Sequence, residues 1–422
     1  MKKSILALLL ICFMLFSSAC SPQQNGPIAD NSNSSSVSLN DTDKAILLSQ
    51  DFSAKDEIQE VSLNSTASKT AASFSYELFK NAYSDSKNTL ISPVSIMYAL
   101  AMAQNGAEGN TLSQMETAFG ADRETLNTYL KSYLSTLPQS DATLSLSQSV
   151  WVKSNDNIKQ SFLQTNADYF NADIYSAPMN HETVKKINDW VKQKTDGEIE
   201  NAINDLSPAD LLVLVNATLF EGKWEQEYLS SSIRDGVFYN LNNSEAEVTY
   251  LYSTEDIYLE GEGYSGFVKP YAGERFAFAA LLPDSDCSLS KLISSLDAQE
   301  LSSAIKNAYA NDVSVCIPEF SLSCDTSLIE LLKQMGITDA FSEIADFSAM
   351  SDNSIFISEA EHKATIKLNR YGTKAAATTT IKATRSSITD KKSVLLNRPF
   401  LYVIYDIEAD MPAFIGTVTN LS

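Results

Sequence analysis

A run of small residues, Gly372 to Thr380, is the feature that most constrains what this chain can fold into. Side chains this small bury little apolar area and make a poor core. From Thr373 onward, small or apolar residues occupy one face and mostly polar residues the other, as in a half-buried strand. The polar stretch 385–392 that follows is typical of an exposed loop. Two interpretations are open: a permanent strand that ends in a loop, or a loop that later becomes a strand.

The N-terminus has the pattern of a secretory signal peptide over residues 1–19. A basic start, Lys2-Lys3, precedes an apolar run that is too short to span a bilayer as a mature helix. Cys20 comes directly after Ser17-Ser18-Ala19, which resembles the lipobox of bacterial lipoproteins, although Ser17 stands where that motif usually has Leu. A lipid-anchored protein and a protein with a plain cleaved signal peptide both fit this pattern.

Ser, Asn, Gln and Pro dominate residues 21–40, which is typical of a flexible tether. We therefore predict a lipid-anchor cysteine and a weakly ordered tether over residues 20–66, and a folded domain over residues 67–422. The predicted localisation is extracellular, on the bacterial cell membrane, with attachment through the lipid alone.

The charge and composition narrow the function further. A formal net charge of −22 argues against nucleic acid and anionic lipid as partners. The apolar content of 44% is enough for the core of one large domain or of two ordinary ones.

The inventory of reactive side chains argues against an enzyme. The chain has two histidines, His181 and His362, and lacks the G-x-S-x-G, H-E-x-x-H, P-loop and G-x-G-x-x-G patterns. His362 lies in a strand-like run, where a hydrogen-bonded core histidine is the commoner case. Cys287, Cys316 and Cys324 are odd in number, so at least one is a free thiol, and their spacing predicts neither zinc nor a redox pair. We expect no metal and no cofactor.

Helical patterns dominate the first third of the chain and strand patterns the rest, which predicts an α+β fold. The predicted helices are Ala71–Ala82, Pro93–Gln104, Thr111–Phe119, Arg123–Ser135, Lys159–Tyr169, Thr183–Thr195 and Thr326–Met335. The predicted strands are Thr89–Ile91, Leu144–Val152, Leu211–Phe220, Gly236–Tyr239, Glu247–Tyr252, Gly266–Pro270, Phe276–Leu282, Asp312–Ile317, Ile355–Ile357, Thr365–Leu368, Phe400–Asp406 and Ala413–Val418.

Several segments, taken in order, resemble the serpin family of serine protease inhibitors. The segments that carry the resemblance are Asn88–Ile96, Gly106–Thr111, Ile187–Val191, Thr195–Ile199, Leu214–Phe220, Gly222–Trp224, Met335–Phe341, Asp346–Ser348, Ser358, His362–Ala364, Gly372–Thr379, Asn397–Phe400 and Phe414–Gly416. Each is weak alone, but the ordered set covers residues 68–422 and is specific.

The resemblance implies one domain of three β-sheets and eight or nine helices with an exposed reactive-centre loop. It implies that a serine protease attacks the loop, that the cleaved loop inserts into the main sheet as an extra strand, and that the protease is held in a covalent complex. We expect a monomeric protein.

The resemblance also assigns roles to residues. The hinge of the loop is Gly372, Thr373, Lys374, Ala375, Ala376, Ala377, Thr378 and Thr379. Every second residue from Thr373 to Thr379 would face inward, where only small side chains fit. Lys374 would face outward. Inhibitory members usually carry acidic residues just before the hinge glycine and at the position of Lys374, whereas this chain has Arg370, Tyr371 and Lys374.

Two further clusters follow from the resemblance. Ser92, Ser95, Asn216 and His362 would form the shutter, a hydrogen-bonded group where the strands of the main sheet part. Trp224, Glu319 and Arg370 would form the breach at the end where the loop enters. The family has a base at the position of Glu319 and an acid at the position of Arg370. The two charges look exchanged in this chain, so Glu319 and Arg370 are predicted to keep the contact between these positions.

The bait bond stays open between two positions. Counting from Gly372 gives Ser386–Ser387, which suits an elastase-like protease. A loop one residue shorter gives Arg385–Ser386, which suits the acidic pocket of a trypsin-like protease and is favoured by chemistry. The alternative function is a non-inhibitory member that acts as a surface-binding or chaperone-like protein, but such members tend to carry bulky or charged residues on the inward face of the hinge.

Overall fold

The computed structural model describes residues 44–54, 60–63, 65–306, 309–374 and 392–422. Within these ranges the chain forms nine α-helices and sixteen strands. The helices are α1 (Thr66–Ala82), α2 (Pro93–Gln104), α3 (Gly109–Phe119), α4 (Arg123–Thr136), α5 (Gln160–Phe170), α6 (His181–Lys194), α7 (Leu289–Ser295), α8 (Ala298–Lys306) and α9 (Leu328–Gln334).

The strands are β1 (Ile46–Leu47), β2 (Thr89–Ile91), β3 (Ala142–Lys153), β4 (Asp173–Ala177), β5 (Leu212–Lys223), β6 (Ile233–Tyr239), β7 (Glu245–Gly261), β8 (Tyr264–Pro270), β9 (Phe276–Pro283), β10 (Tyr309–Pro318), β11 (Phe320–Ser327), β12 (Ile357–Asn369), β13 (Gly372–Thr373), β14 (Lys392–Leu395), β15 (Phe400–Asp406) and β16 (Met411–Val418). The α+β prediction is confirmed.

The described strands belong to two hydrogen-bonded sheets. The first has the order β1-β4-β3-β5-β13-β12-β11. The second has the order β14-β10-β7-β8-β9-β15-β16-β2, with β6 also paired to β7. The family resemblance implied three sheets, whereas the described strands form two. The second observed sheet is continuous because β7 is seventeen residues long and pairs along its length with β6, β10 and β8 in turn.

The first sheet is covered on both faces, and the alternation along β5 shows how. Leu212 and Leu214 point into the large core, while Val213 and Val215 point to the opposite face. On that opposite face, α6 packs its apolar stripe, which includes Ile187. We call the side of the large core the inner face and the side of α6 the outer face.

Helix α2 lies on the inner side and is buried along its whole length. It begins as predicted, with Ser92 in extended backbone as the N-cap residue and Pro93 at the first helical position. This helix carries two of the predicted shutter residues, Ser92 and Ser95, up against the first sheet.

The start of the domain differs from the prediction of a tether up to residue 66. Ile46 and Leu47 form β1, which pairs antiparallel with Ser176 and Tyr175 on β4. In the described part of the chain, order therefore begins at the edge of the first sheet. No helix among the described ranges is both long enough and apolar enough to cross a bilayer.

Candidate functional site

The candidate site is a gap in the first sheet between β5 and β12. At one end these strands pair directly and in parallel, from Leu212 beside Ile357 to Ala217 beside Lys363. At the other end β13 lies between them. Its pairings, all antiparallel, are Gly372 with Lys223 and Asn369, and Thr373 with Gly222 and Leu368. The sheet is thus closed at one end and parted at the other by the first two residues of the predicted hinge.

Between the closed end and β13 a narrow cleft remains. It is lined by Thr218, Leu219 and Phe220 of β5, by Thr365 and Lys367 of β12, and by Thr373. The cleft continues the direction of β13, so further residues of the hinge have a path between the two strands.

Thr373 occupies the inner face of this gap. It is 2% exposed, and its hydroxyl oxygen lies 2.6 Å from the Tyr271 hydroxyl oxygen. The Tyr271 ring stacks on Trp224, with ring centroids 4.6 Å apart and planes 10° apart. Gly372 has a φ of 145°, and a Cβ there would meet the Gly222 carbonyl oxygen at 1.9 Å, so this position accepts glycine alone.

Lys374 ends the inserted segment. Its amide N–H donates to the Lys367 carbonyl at 2.9 Å, but its own φ of 53° turns the chain out of the sheet. Its ammonium lies on the outer side, 3.2 Å from the Glu221 carboxylate and 3.7 Å from that of Asp196. The structure therefore puts Lys374 on the face opposite Thr373, in contact with two acids.

A linker that follows α6 crosses the outer side of the gap. Glu198 on this linker makes an ion pair of 2.5 Å with Lys367 of β12. Lys363, also on β12, donates its ammonium N–H to the Asn201 carbonyl at 2.8 Å. The cleft is consequently bounded by the linker outside and by the large core inside.

The four predicted shutter residues lie together at the point where β5 and β12 part. His362 and Asn216 are register partners on the two strands, and their side chains are 2.7 Å apart, Nδ1 to Oδ1. Asn216 donates its amide N–H to the Ser95 hydroxyl at 2.6 Å, and the Ser92 backbone N–H donates to His362 Nε2 at 3.0 Å. Thr218, which the motif analysis did not include, also donates to the Ser95 hydroxyl.

These contacts fix the tautomer of His362. Because Nε2 accepts a hydrogen bond from a backbone N–H, the ring proton is on Nδ1, where it is donated to Asn216. Burial lowers the pKa of His362 to about 3. The side chain is a neutral hydrogen-bonding bridge between two strands and has no access to solvent as a base.

The lowered pKa of His362 predicts an acid-dependent loss of stability. Between the ordinary histidine pKa, 6.5, and the folded value, about 3, the unfolded chain binds a proton that the folded chain does not. The free energy of unfolding should therefore fall by about 1.4 kcal/mol for each pH unit below 6.5 through this group. Urea unfolding of the wild type and of His362→Asn from pH 7 to pH 4.5 measures it. Parallel pH profiles for the two proteins would rule out the assignment.

The predicted breach residues also lie close to one another. Glu319 accepts the Arg370 backbone N–H at 3.0 Å, and its carboxylate lies 3.7 Å from the Arg370 guanidinium. Trp224 donates its indole N–H to the Asn369 carbonyl at 2.9 Å. The opposite charges of Glu319 and Arg370 are thus in contact, next to the turn that leads into β13.

Some predicted site residues lie outside the described residues: Ala375, Ala376, Ala377, Thr378 and Thr379 of the hinge, Arg385, Ser386 and Ser387 of the bait bond, and Cys20. The sequence analysis did not identify Tyr271. This residue lies in the turn between β8 and β9, and the sequence carries no local signal for it because only the fold brings that turn next to the hinge. Cys287, Cys316 and Cys324 are all free thiols. In the described part of the chain, no group of three or more His, Cys, Asp or Glu side chains is arranged to hold a metal ion.

Comparison with known proteins gives a consistent result. A family model described as serpin (serine protease inhibitor) matches residues 69–421. Intracellular coagulation inhibitor 2 of Tachypleus tridentatus is 30% identical over 373 residues, which cover 84% of this chain and 91% of that protein. The crystal structure of the thermophilic serpin tengpin in its native state has a TM-score of 0.86 at 39% identity, covering 90% of this chain and 100% of tengpin. Its latent state scores 0.77 at 38% identity, covering 86% and 100%.

Proposed function

The chain belongs to the serpin family, and from that premise we propose that it is a suicide-substrate inhibitor of serine proteases. Members of the family are generally protease inhibitors rather than catalysts. The observation that carries the proposal is β13, where Gly372 and Thr373 already lie between β5 and β12 as the first residues of an additional strand.

The proposed reaction begins as ordinary proteolysis. The protease serine oxygen attacks the carbonyl carbon of the bait bond, an ester forms to that residue, and the peptide bond breaks. The new amino group leaves with a proton, and the loop is free at that end. Insertion of the loop before water hydrolyses the ester then displaces the tethered protease and leaves the covalent complex.

The geometry of the sheet favours insertion. On insertion, the parallel pairing between β5 and β12 would be lost, and each of these strands would instead pair antiparallel with the inserted strand. Antiparallel pairing is slightly more stable per residue than parallel pairing. About twelve residues at roughly 3.3 Å each make a strand of about 40 Å. Small residues at alternate positions, such as Ala375 and Ala377, suit the inner face that Thr373 occupies.

The proposed target is a serine protease with trypsin-like or elastase-like specificity. We favour Arg385–Ser386 as the bait bond, since a guanidinium is recognised by a buried carboxylate in trypsin-like pockets. Ser386–Ser387 is the second position. We further propose that Cys20 carries a lipid and holds the protein at the outer surface of a bacterial membrane, supported by the small residues before Cys20.

The proposal predicts a covalent complex that survives denaturation. Incubation with trypsin and separately with elastase, followed by denaturing electrophoresis and intact-mass measurement, should yield a band and a mass equal to the protease plus the part of the inhibitor that ends at the bait bond. The matched variants Arg385→Ala and Ser386→Arg assign the bond: loss of the trypsin complex in the first alone indicates Arg385–Ser386. Cleavage with full turnover by each protease would instead leave the non-inhibitory function.

A further inference from the structure

A buried ion pair lies beneath the entrance of the gap. Lys269 on β8 and Glu255 on β7 are 2.9 Å apart, with side chains 3% and 9% exposed. The Ser253 hydroxyl donates to the same Glu255 oxygen that contacts Lys269. Removing two charges from water is costly, and a buried pair of this kind is often no more stabilising than apolar residues of the same volume. Its burial is therefore better explained by a role besides stability.

The ammonium of Lys269 contacts two aromatic rings as well as the carboxylate. It lies 4.7 Å from the centroid of the Tyr228 ring and 5.4 Å from that of Trp224. Cations over aromatic faces are held most strongly where water is excluded. Tyr228 is also linked to the pair through Ser253, because the hydroxyl oxygens of Tyr228 and Ser253 lie 3.2 Å apart.

Both rings belong to residues that hold the turn before β13. The Trp224 backbone N–H donates to the Tyr371 carbonyl at 3.0 Å, and the Tyr228 backbone N–H donates to the Arg370 carbonyl at 3.3 Å. Trp224 also stacks on Tyr271, the hydroxyl partner of Thr373. A continuous set of contacts therefore joins the ion pair to the turn and to the first inserted residue.

We propose that Lys269 and Glu255 are positioning residues for loop insertion. Resting on the proposed inhibitory function, the inference is that the pair fixes Trp224 and Tyr228, and that these two fix the turn from which the loop enters the sheet. Without the pair the turn loosens, Gly372 and Thr373 spend less time in the gap, and insertion competes less well with hydrolysis of the ester.

The test replaces the pair with apolar residues of similar size, Lys269→Met with Glu255→Met. This double variant avoids an unpaired buried charge, and we expect it to fold with an unchanged melting temperature. Two readouts should change: the stoichiometry of inhibition, and the hydrogen exchange of a peptide that covers residues 369–374. We expect each to rise on the order of tenfold, the scale set by loss of a desolvated cation–aromatic contact. Lys269→Arg keeps the cation and should restore both.

A matched control uses a second buried ion pair, whose described contacts include neither Trp224 nor Tyr228. Arg275 and Asp406 are 2.9 Å apart with side chains 9% and 0% exposed. Arg275→Met with Asp406→Asn should lower the melting temperature and leave both readouts unchanged. Unchanged stoichiometry in the Lys269→Met, Glu255→Met protein overturns the inference, whether or not the exchange rate rises. If the wild type itself forms no covalent complex, the inhibitory function fails, and the exchange measurement alone decides whether the pair holds the turn.

Discussion

Cleavage of the chain between residues 380 and 391 should raise the melting temperature by tens of degrees. The intact loop is tied at both ends, to β13 and to β14, which pairs with β10 in the second sheet. We expect that connection to keep the hinge from advancing beyond Thr373 while the chain is intact. A cut removes the restraint, and the strand that then forms adds two ladders of hydrogen bonds and buries the small side chains of the inner face.

The expected size follows from the scale of thermal unfolding. In domains of 150–250 residues, about 1 kcal/mol shifts the melting temperature by roughly 2–4 °C. A new central strand of about twelve residues should raise the free energy of unfolding by many times 1 kcal/mol, so we expect the melting temperature to rise by about 20 °C or more. Limited proteolysis followed by calorimetry measures it. A melting temperature that stays the same or falls after the cut would mean that the native protein stores no such free energy.

Thr373→Arg should convert the protein from an inhibitor into a substrate. Thr373 lies on the inner face against Tyr271, with no acidic partner among its described contacts. Burying a guanidinium there without a partner costs several kcal/mol. The first two hinge residues should leave the gap, insertion should slow, and the ester should hydrolyse. We expect the covalent complex to be lost, and the gain in melting temperature on cleavage to be lost with it.

The neighbouring position supplies the matched control. The Lys374 ammonium lies on the outer side of the sheet. The structure puts its ammonium between Glu221 and Asp196, so Lys374→Glu would add repulsion, whereas Lys374→Gln removes only partly exposed ion pairs worth about 1 kcal/mol or less. Thr373→Arg and Lys374→Gln compared by stoichiometry of inhibition should differ strongly. Equal effects would contradict the assignment of the inner and outer faces.

The sequence predicted best those elements whose local pattern agrees with their environment. Phe400–Asp406 was predicted with its observed bounds because it is fully buried, and a continuous apolar run is typical of such a strand. The sequence did not predict α7 and α8, which are short and rich in serine, so their apolar stripe is too brief to stand out. It also missed β11, where alternate Ser and Asp residues face outward and the inward positions include Cys324 and Thr326, which obscure the pattern.

For the site, sequence reasoning reached the residues that belong to recognisable motifs. Ser92, Ser95, Asn216 and His362 come from three distant segments, and only the family resemblance linked them before the structure did. The Lys269–Glu255 pair belongs to no motif, and its members are fourteen residues apart on neighbouring strands. Its relation to the gap depends on Trp224 and Tyr228 and is visible only in three dimensions.

The position of the cleaved loop is the most direct test of loop insertion. A crystal structure of the protein after cleavage between residues 380 and 391 should show β13 extended from Gly372 through the cleft, antiparallel to both neighbours. In that state the direct pairing of His362 with Asn216 and of Lys363 with Ala217 should be replaced by pairing of each strand with the inserted one. A cleaved protein in which β5 and β12 remain paired from Leu212 to Ala217, with the loop outside the sheet, would contradict the account.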